Sequence, residues 1–283
     1  MAVDLHAHST ASDGTETPSE VMRIAARADL SAVALTDHDT LEGLAEAQIV
    51  ADGVGVELIP GTEISCEWAP GTMHMIILFL EPGEGPLQDR LWDLQAARSR
   101  RNEIIVQRLQ DLGMDITYDE ILTEAGEGSV GRPHFAAVME RKGYVSDFRA
   151  AFDDYLGNGR PAYVSRERLN PKEAIELSLA SGAVPIVAHP FTLGLNTAAE
   201  FAETYTQLAE WGLVAVECFY GEYDLTRQKA LADATVRFGM LPSGGSDFHG
   251  DYKAGLELGF GRGQLSVPES ALEDLRAARP LPT

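Results

Sequence analysis

Short apolar segments alternate with helical segments along most of the chain, and this alternation constrains the fold more than any other feature. Seven strand candidates span residues 2–5, 32–35, 56–59, 73–80, 183–188, 213–219 and 240–242. Strands separated by helices are typical of a sheet whose strands run parallel and whose outer face is covered by helices. The pattern therefore predicts an α/β protein built as a parallel barrel rather than a β-sandwich.

The alternation is interrupted once, between residues 86 and 172, where the sequence pattern is mostly helical. A long helix is predicted over residues 87–112, and shorter ones near 119–124, 133–142 and 146–156. We therefore expect a barrel formed by residues 1–85 and 173–283, with residues 86–172 as a helical insertion that caps the substrate site.

The 283 residues carry a formal net charge of −22, but this charge is unevenly distributed. Residues 90–172 contain 13 of the 22 basic and 13 of the 44 acidic side chains, which leaves 31 acids against 9 bases elsewhere. In that near-neutral segment every base except Lys142 and Lys172 is an arginine, whose planar guanidinium suits phosphate. The acidic remainder argues against stable binding of duplex DNA.

Composition argues against a membrane protein and against a disulfide-stabilised protein. No apolar run approaches the ~18–20 residues that a transmembrane helix needs, and the N-terminus lacks a basic segment followed by an apolar one. The two cysteines, Cys66 and Cys218, are too few for a disulfide framework. We expect a cytoplasmic protein without a membrane partner.

The chain has only seven histidines, and five of them lie at or shortly after the C-terminal end of a predicted strand. These five are His6, His8, His38, His189 and His249. In a parallel barrel those strand ends share one rim, where active sites lie. Because side chains alternate along a strand, His6 and His8 point to the same side and can converge on one divalent cation. The clustering predicts a metal site.

Acidic residues beside the histidines extend the set of possible ligands. Asp13 lies in a Ser-Asp-Gly turn, Glu63 follows the third strand candidate, and Asp247 precedes His249 by two residues. Imidazole and carboxylate without cysteine suit zinc, manganese or iron. About nine ligands exceed the number that one catalytic ion needs, so two or three neighbouring ions are expected, with Glu63 as a candidate bridge.

Five short segments, in this order, resemble the motifs of the PHP (polymerase and histidinol phosphatase) family. They are His6-Ala7-His8-Ser9, Thr36-Asp37-His38-Asp39, Gly61-Thr62-Glu63-Ile64-Ser65, Ala188-His189-Pro190 and Gly245-Ser246-Asp247-Phe248-His249. Residues 131–136 and 155–163 further resemble a bacterial branch of the family that acts on nucleotides. The resemblance implies a distorted (β/α)7 TIM-like barrel and metal-dependent hydrolysis of a nucleoside 3′,5′-bisphosphate to a mononucleotide and phosphate. Some members of the branch also trim short RNA from its 5′ end.

The same resemblance implies a trinuclear metal centre, and we expect two to three Mn, Fe or Zn ions to be bound. One metal would take His6, His8, Glu63 and Asp247; a second would share Glu63 and add His74 and His134; a third would take Asp13, His38 and His249. Some family members have histidine where this chain has Asp13, so the third site has a different donor set here.

His189 matches a family position expected to touch the phosphate or to protonate the leaving oxygen. Asp247 is the alternative proton donor. Phe219 and Tyr220 follow a strand and are candidates to stack on a base, although core packing is the simpler interpretation of Phe219.

Arginines of the insertion are the candidates to hold substrate phosphate. Arg132 lies two residues before His134, so one segment can deliver both a metal ligand and a guanidinium. Arg101 is preferred for a second phosphate among three arginines spaced along the long helix, and Arg160 is a similar candidate. The three are Arg98, Arg101 and Arg108.

Three other functions fit parts of the pattern. A histidinol-phosphate phosphatase needs one phosphate site and an acidic partner for an amine, but it gives the arginines no role. A non-catalytic metal-binding PHP interaction module would be expected to accompany a large partner region and to have lost ligands. An amidohydrolase that cleaves C–N bonds would share the barrel and the metals, but it also leaves the arginines unexplained.

Overall fold

The computed structural model describes residues 2–126, 129–165 and 167–280, and its strands form one eight-stranded sheet. The strands are β1 (Ala2–Ala7), β2 (Leu30–Leu35), β3 (Glu57–Cys66), β4 (Met73–Leu78), β5 (Val184–Val187), β6 (Ala215–Tyr220), β7 (Leu241–Gly245) and β8 (Val267–Pro268). Their order across the sheet is β7-β6-β5-β4-β3-β2-β1-β8. The amide of Asp247 donates to His6 O, and the amide of His8 donates to Phe248 O. These bonds join the end of β7 to β1, so the barrel is nearly closed.

Helices cover the barrel and form the segment between β4 and β5. They are α1 (Pro18–Arg27), α2 (Leu44–Val54), α3 (Pro86–Asp111), α4 (Tyr118–Ala125), α5 (Arg132–Arg141), α6 (Phe148–Ala151), α7 (Pro171–Ala180), α8 (Ala198–Glu210), α9 (Leu225–Arg237) and α10 (Glu269–Ala277). Local chemistry fixes several of their starts. The side chain of Thr17 accepts a hydrogen bond from the Glu20 amide at α1, and Thr117 forms a capping box with Glu120 at α4.

Two strands depart from the parallel arrangement that the sequence predicts for the sheet. β4 is antiparallel to both β3 and β5, and β8 is antiparallel to β1. The predicted barrel is confirmed, but a wholly parallel sheet is wrong. β3 and β4 are joined by residues 67–72 alone, and a connection that short cannot hold the crossover that parallel neighbours require. β8 was not predicted, because two residues are too few to show a periodic pattern.

The apolar core is divided between the inside of the barrel, its outer face and the helical segment. Val3, Ile59, Ile76 and Ile186 come from four different strands and meet in one buried cluster, which α10 covers through Leu275. The helical segment has a cluster of its own, to which α3, α4 and α5 contribute.

Helix α3 belongs to two clusters. Leu87, Leu91 and Leu94 in its first half pack against the barrel, whereas Ile105 and Leu109 in its second half pack inside the helical segment. A single helix therefore connects the barrel core to the core of the segment. None of the helices in the described part of the chain is both long enough and apolar enough to cross a membrane.

Candidate metal centre

Six imidazoles cluster at the rim of the barrel, and five of them contact one carboxylate. Neighbouring ring centres lie between 4.1 and 5.9 Å apart. The six are His6, His8, His38, His74, His189 and His249, and the carboxylate is Glu63. Five of these histidines lie at or shortly after the C-terminal end of a strand, as the sequence predicts. His74 is the second residue of β4 and reaches the same rim because β4 runs in the opposite direction.

Glu63 is buried and divides its two oxygens between the imidazoles. Its Oε1 lies 3.0 Å from His74 Nδ1 and 3.2 Å from His189 Nε2. Its Oε2 lies 3.2–3.3 Å from a nitrogen of each of three other imidazoles, those of His6, His8 and His38. Burial opposes ionisation, but the nearby imidazoles hold the pKa of Glu63 well below its usual range. Each oxygen of this anionic carboxylate faces a different set of nitrogens, which suits a ligand that bridges two ions.

Donor atoms converge in three groups, each with its atoms within 4.8 Å of one another. The groups are His8, Asp13, His38 and His249; His6, His8 and Asp247; and His38, Glu63 and His74. Eight of the nine predicted ligands are therefore brought together in the structure. His8 and His38 each belong to two groups, so the ions that these groups would hold lie close to one another.

Two of the predicted ligands have a protonation state that fits metal ligation, whereas at His6 and His249 burial lowers the pKa but the nearby carboxylates outweigh it and raise it. Burial lowers the pKa of His38 to about 3 and also lowers the pKa of His8, so both imidazoles are neutral and keep a lone pair. His8 Nδ1 is buried and has no hydrogen-bond partner in the described part of the chain. An unpaired buried nitrogen is costly unless something else binds it. Neutral imidazoles beside anionic carboxylates are the donors that Zn, Mn and Fe prefer.

Asp13 completes this rim from the loop after β1. Its Oδ1 lies 3.4 Å from His249 Nε2, and its Oδ2 lies 3.8 Å from His38 Nε2. The loop folds tightly: a Cβ at Gly14 would lie 2.7 Å from His8 O, so the turn requires glycine. Burial raises the pKa of Asp13, but His38 and His249 outweigh it and hold this pKa well below its usual range.

His134 is the predicted ligand that lies outside these groups. It is buried in the first turn of α5, where its Nδ1 accepts a hydrogen bond of 3.0 Å from the Gly131 amide. Burial lowers its pKa, and among nearby charges the carboxylate of Asp13 opposes this most strongly. His134 is therefore positioned beside Asp13, and the structure does not bring it within 4.8 Å of the donor atoms of Glu63 and His74.

The sequence did not reveal Glu217, which supports the cluster from β6. Its Oε1 lies 2.9 Å from His6 Nδ1, and its Oε2 accepts a 2.6 Å hydrogen bond from the His189 amide. Glu217 is fully buried. The only signal was an acidic residue inside the apolar strand sequence Val216-Glu217-Cys218.

The candidate proton donors differ in environment. Both His189 (φ 29°) and Asp247 (φ 58°) adopt left-handed backbone conformations, an uncommon geometry that is concentrated at functional sites. Burial lowers the pKa of His189, but the contact with Glu63 and the nearby carboxylates raise it above its usual value. The pKa of Asp247 is lowered despite burial, chiefly by His6 and by Lys253, which pairs with its Oδ2.

Tyr220 has a different position from the one predicted. Its side chain is buried, and its hydroxyl donates a 2.8 Å hydrogen bond to Asp247 Oδ2. Phe219 packs against the interior cluster of the barrel. Core packing of Phe219, the simpler interpretation, is thus confirmed, and the hydroxyl of Tyr220 is engaged with Asp247.

Arginines from the helical segment line a cavity of about 210 Å³ over the cluster, called here the arginine cavity. It is lined by Asp13, His38, His74, Arg98, Arg101, Gly131, Arg132, Pro133 and Phe152. Arg98 forms a buried ion pair with Asp39, next to His38. Arg132 Nη1 donates to Leu156 O at 3.1 Å, and its guanidinium lies 5.6 Å from the ring centre of Tyr163.

The other predicted arginines divide between this cavity and the surface. Arg101 is buried and donates to the side chain of Asn102. Arg160 is exposed and is not part of the cavity wall. Arg108 donates to Tyr163 O. Arg98 was considered only as a neighbour of Arg101, and the structure adds it to the cavity.

Comparison with known proteins gives matches to one family and to relatives that act on phosphate esters. Residues 4–124 match the family model described as PHP domain. The chain is 35% identical to a 5′-3′ exoribonuclease of Haemophilus influenzae over 87% of this chain and 89% of the relative. It is 32% identical to a 3′,5′-nucleoside bisphosphate phosphatase of Chromobacterium violaceum, over 91% of this chain and 90% of the relative.

Solved structures resemble it along almost the whole chain. A protein of Bifidobacterium adolescentis assigned as a metal-dependent phosphoesterase superimposes with a TM-score of 0.84 at 27% identity, covering 98% of this chain and 96% of that one. A Chromobacterium violaceum protein, described as an amidohydrolase with bound sulfate and no metal, gives a TM-score of 0.84 at 29% identity, covering 99% of both chains.

Proposed function

The chain belongs to the PHP domain family of metal-dependent phosphoesterases, and on that basis we propose that it hydrolyses a phosphate monoester of a nucleotide carrying a second phosphate. The preferred substrate is a nucleoside 3′,5′-bisphosphate, which gives a mononucleotide and phosphate. Short 5′-phosphorylated RNA is the second candidate, because one relative is named an exoribonuclease.

The observation that carries this proposal is the arginine cavity. Arg98, Arg101 and Arg132 line the same cavity as His38 and His74, in a chain whose net charge is −22. Guanidinium groups bind phosphate oxygens in pairs. In a substrate with two phosphates, one phosphate would lie at the histidine and carboxylate cluster and the other near the arginines, so both the cluster and the arginines would bind substrate. The amine of histidinol phosphate would instead be repelled by the arginines, so that alternative is not favoured.

We propose that divalent ions are bound by the converging donors at the rim. The proposed ligands are His6, His8, Asp13, His38, Glu63, His74, Asp247 and His249, with His134 next to Asp13. Bound divalent ions would polarise the phosphoryl oxygens and lower the pKa of water. Glu217 positions one ligand: because His6 Nδ1 faces Glu217, the lone pair of Nε2 is directed towards the cluster. The donor set suits Mn, Fe or Zn.

His189 is the better candidate for the proton donor. Its raised pKa keeps a proton available near neutral pH, and its Nε2 lies 3.2 Å from Glu63 at the centre of the cluster. In the proposed step the oxygen of a water molecule forms a bond to phosphorus while the bond between phosphorus and the leaving oxygen breaks. The leaving oxygen takes the proton from His189, and the proton that the water loses restores the protonated His189 for the next turnover. Asp247 is anionic, since its pKa is lowered, so we assign it to metal binding alone.

The test is phosphate release by metal-replete protein from a substrate panel. The panel contains 3′-phosphoadenosine 5′-phosphate, a mononucleotide, histidinol phosphate and short 5′-phosphorylated RNA. We expect the bisphosphate to give the highest kcat/KM, and activity to disappear with a chelator and return with Mn²⁺. Turnover of histidinol phosphate alone would overturn the nucleotide proposal, and cleavage of amides without turnover of any phosphate ester would favour an amidohydrolase.

A further inference from the structure

Two further cavities continue from the arginine cavity along helix α3. The first, of about 180 Å³, shares Arg98 with the arginine cavity and is called here the hydroxyl cavity. Hydroxyl and amide side chains dominate its wall: Thr40, Gln95, Ser99, Asn102, Tyr118 and Ser129. The second, also of about 180 Å³, shares Glu42 and Gln95 with the hydroxyl cavity and contains Trp92, and is called here the tryptophan groove. The shared residues place the three cavities next to one another, and this row of cavities is called here the track.

The chemistry of the track changes along its length. The arginine cavity carries three guanidinium groups, and the hydroxyl cavity carries one. Among the residues that the structure describes, the wall of the tryptophan groove contains no basic side chain, and Glu42 is its one charged residue. A phosphate would be repelled there, since nothing in that wall offsets the carboxylate charge. The groove therefore suits an uncharged group.

The walls of the groove suit a flat ring. Trp92 is 69% exposed although it is a large apolar side chain, and Leu41, Leu91 and Pro82 lie around it. An exposed indole in the wall of a cavity is a stacking surface, and nucleobases stack on aromatic side chains largely independently of sequence.

Helix α3 sets the distance between the ring and the phosphate site. Along the helix axis Trp92 lies roughly 9 Å from Arg98 and roughly 14 Å from Arg101 at 1.5 Å per residue. At about 100° per residue Trp92 also lies on the opposite side of α3 from Arg101, so the row of cavities winds around the helix. Gln95 lies between them, where its Nε2 donates a 2.8 Å hydrogen bond to Asp39 O and ties this face of the helix to the rim. The hydroxyl cavity fills that interval and offers partners for a sugar and a diester. A base in the groove would thus belong to the nucleotide after the one held by the arginines.

We propose that the tryptophan groove binds a nucleobase of a single-stranded oligonucleotide, one unit beyond the nucleotide whose phosphates the arginine cavity holds. This inference rests on the proposed phosphoesterase function and assigns it an extended substrate. The sugar and phosphodiester of the second nucleotide lie along the hydroxyl cavity, and its base stacks on Trp92. A nucleoside bisphosphate is too short to reach the groove.

The experiment compares Trp92→Ala and Trp92→Phe with the unchanged enzyme, using Ile104→Ala as a control. Ile104 is also exposed on α3 but lies in none of the three cavity walls. Metal-loaded proteins are assayed for kcat/KM on a nucleoside bisphosphate and on a 5′-phosphorylated trinucleotide. We expect Trp92→Ala to lower the value for the trinucleotide by about tenfold, as loss of one stacked base would. Trp92→Phe should keep most of the kcat/KM for the trinucleotide. All variants should hydrolyse the bisphosphate as fast as the unchanged enzyme does.

Tryptophan fluorescence gives a readout that does not depend on turnover. On rapid mixing with the trinucleotide, the unchanged enzyme should show quenching before the first turnover, and Trp92→Phe should lose it although Trp68 and Trp211 remain. Absence of quenching, or an equal loss of activity on both substrates, overturns the inference. If the bisphosphate is hydrolysed but the trinucleotide is neither bound nor cleaved, the inference fails while the proposed phosphatase function stands. If no phosphate ester is turned over, the proposed function fails, and the quenching result still decides whether the groove binds a base.

Discussion

The barrel rim and the helical segment between β4 and β5 contribute different chemistry to one cavity. The rim supplies carboxylates and imidazoles that are already in mutual contact, with Glu63 at their centre. The helical segment supplies guanidinium groups held by a carboxylate or by backbone oxygens, such as Arg98 on Asp39 and Arg132 on Leu156. We therefore expect mutations in the rim to affect metal binding, and mutations in the helical segment to affect substrate binding.

Glu63→Gln should give the largest effect, because the amide has one acceptor oxygen and no charge where the carboxylate has two anionic oxygens. We expect kcat/KM to fall by about three orders of magnitude, together with a loss of bound metal. Mass spectrometry of the native protein would count the ions per chain. Full metal content with near-normal turnover would break the assignment of the rim to metal binding.

Glu217→Gln should lower metal affinity and activity by an intermediate amount, because Glu217 contacts His6 and His189 rather than the substrate. Glutamine can accept from the ring of His6 or from the amide of His189, but not from both. We expect a loss of about 10–100-fold in metal affinity or activity. Glu222→Gln, at an exposed neighbouring position that pairs with Arg262, is the control and should change neither. Equal metal affinity and rates in both variants would show that Glu217 only fills space.

Arg132→Ala should give the smallest of the three effects and should act on the substrate alone. Losing a charged hydrogen bond to phosphate should lower kcat/KM about tenfold, mostly through KM, with metal content unchanged. Arg160→Ala should stay within about twofold of the unchanged enzyme, because this exposed side chain lies outside the cavity wall. If Arg132→Ala releases metal, the separation between rim and helix does not hold.

The sequence was sufficient for the barrel and for most of the rim, because both follow from local patterns. Alternating apolar segments located seven strands, and His6, His38 and Asp247 could be placed together from their positions at strand ends. The direction of β4 was missed although the short connection at residues 67–72 contained the information. Its reversal is what brings His74 to the rim.

The sequence did not predict contacts between elements that are far apart along the chain. Glu217 meets His6 across 211 residues, and Arg98 meets Asp39 across 59. Such pairs depend on strand register and on the rotation of α3 about its axis, which no local pattern specifies. His134 shows the reverse case: the motif drew attention to it, but its nearest contact is the local amide of Gly131.

Helix α3 packs in both the barrel core and the core of the helical segment, which limits how the helical segment can move relative to the barrel. Its 26 residues contain no glycine and, after Pro86, no proline, so the helix has no intrinsic hinge between Leu94 and Ile105. The segment that carries the arginines is continuous with the barrel wall. We therefore expect it not to swing as an independent lid, and substrate to enter through an opening that persists throughout the catalytic cycle. The same continuity should make the two cores lose their structure in one thermal transition.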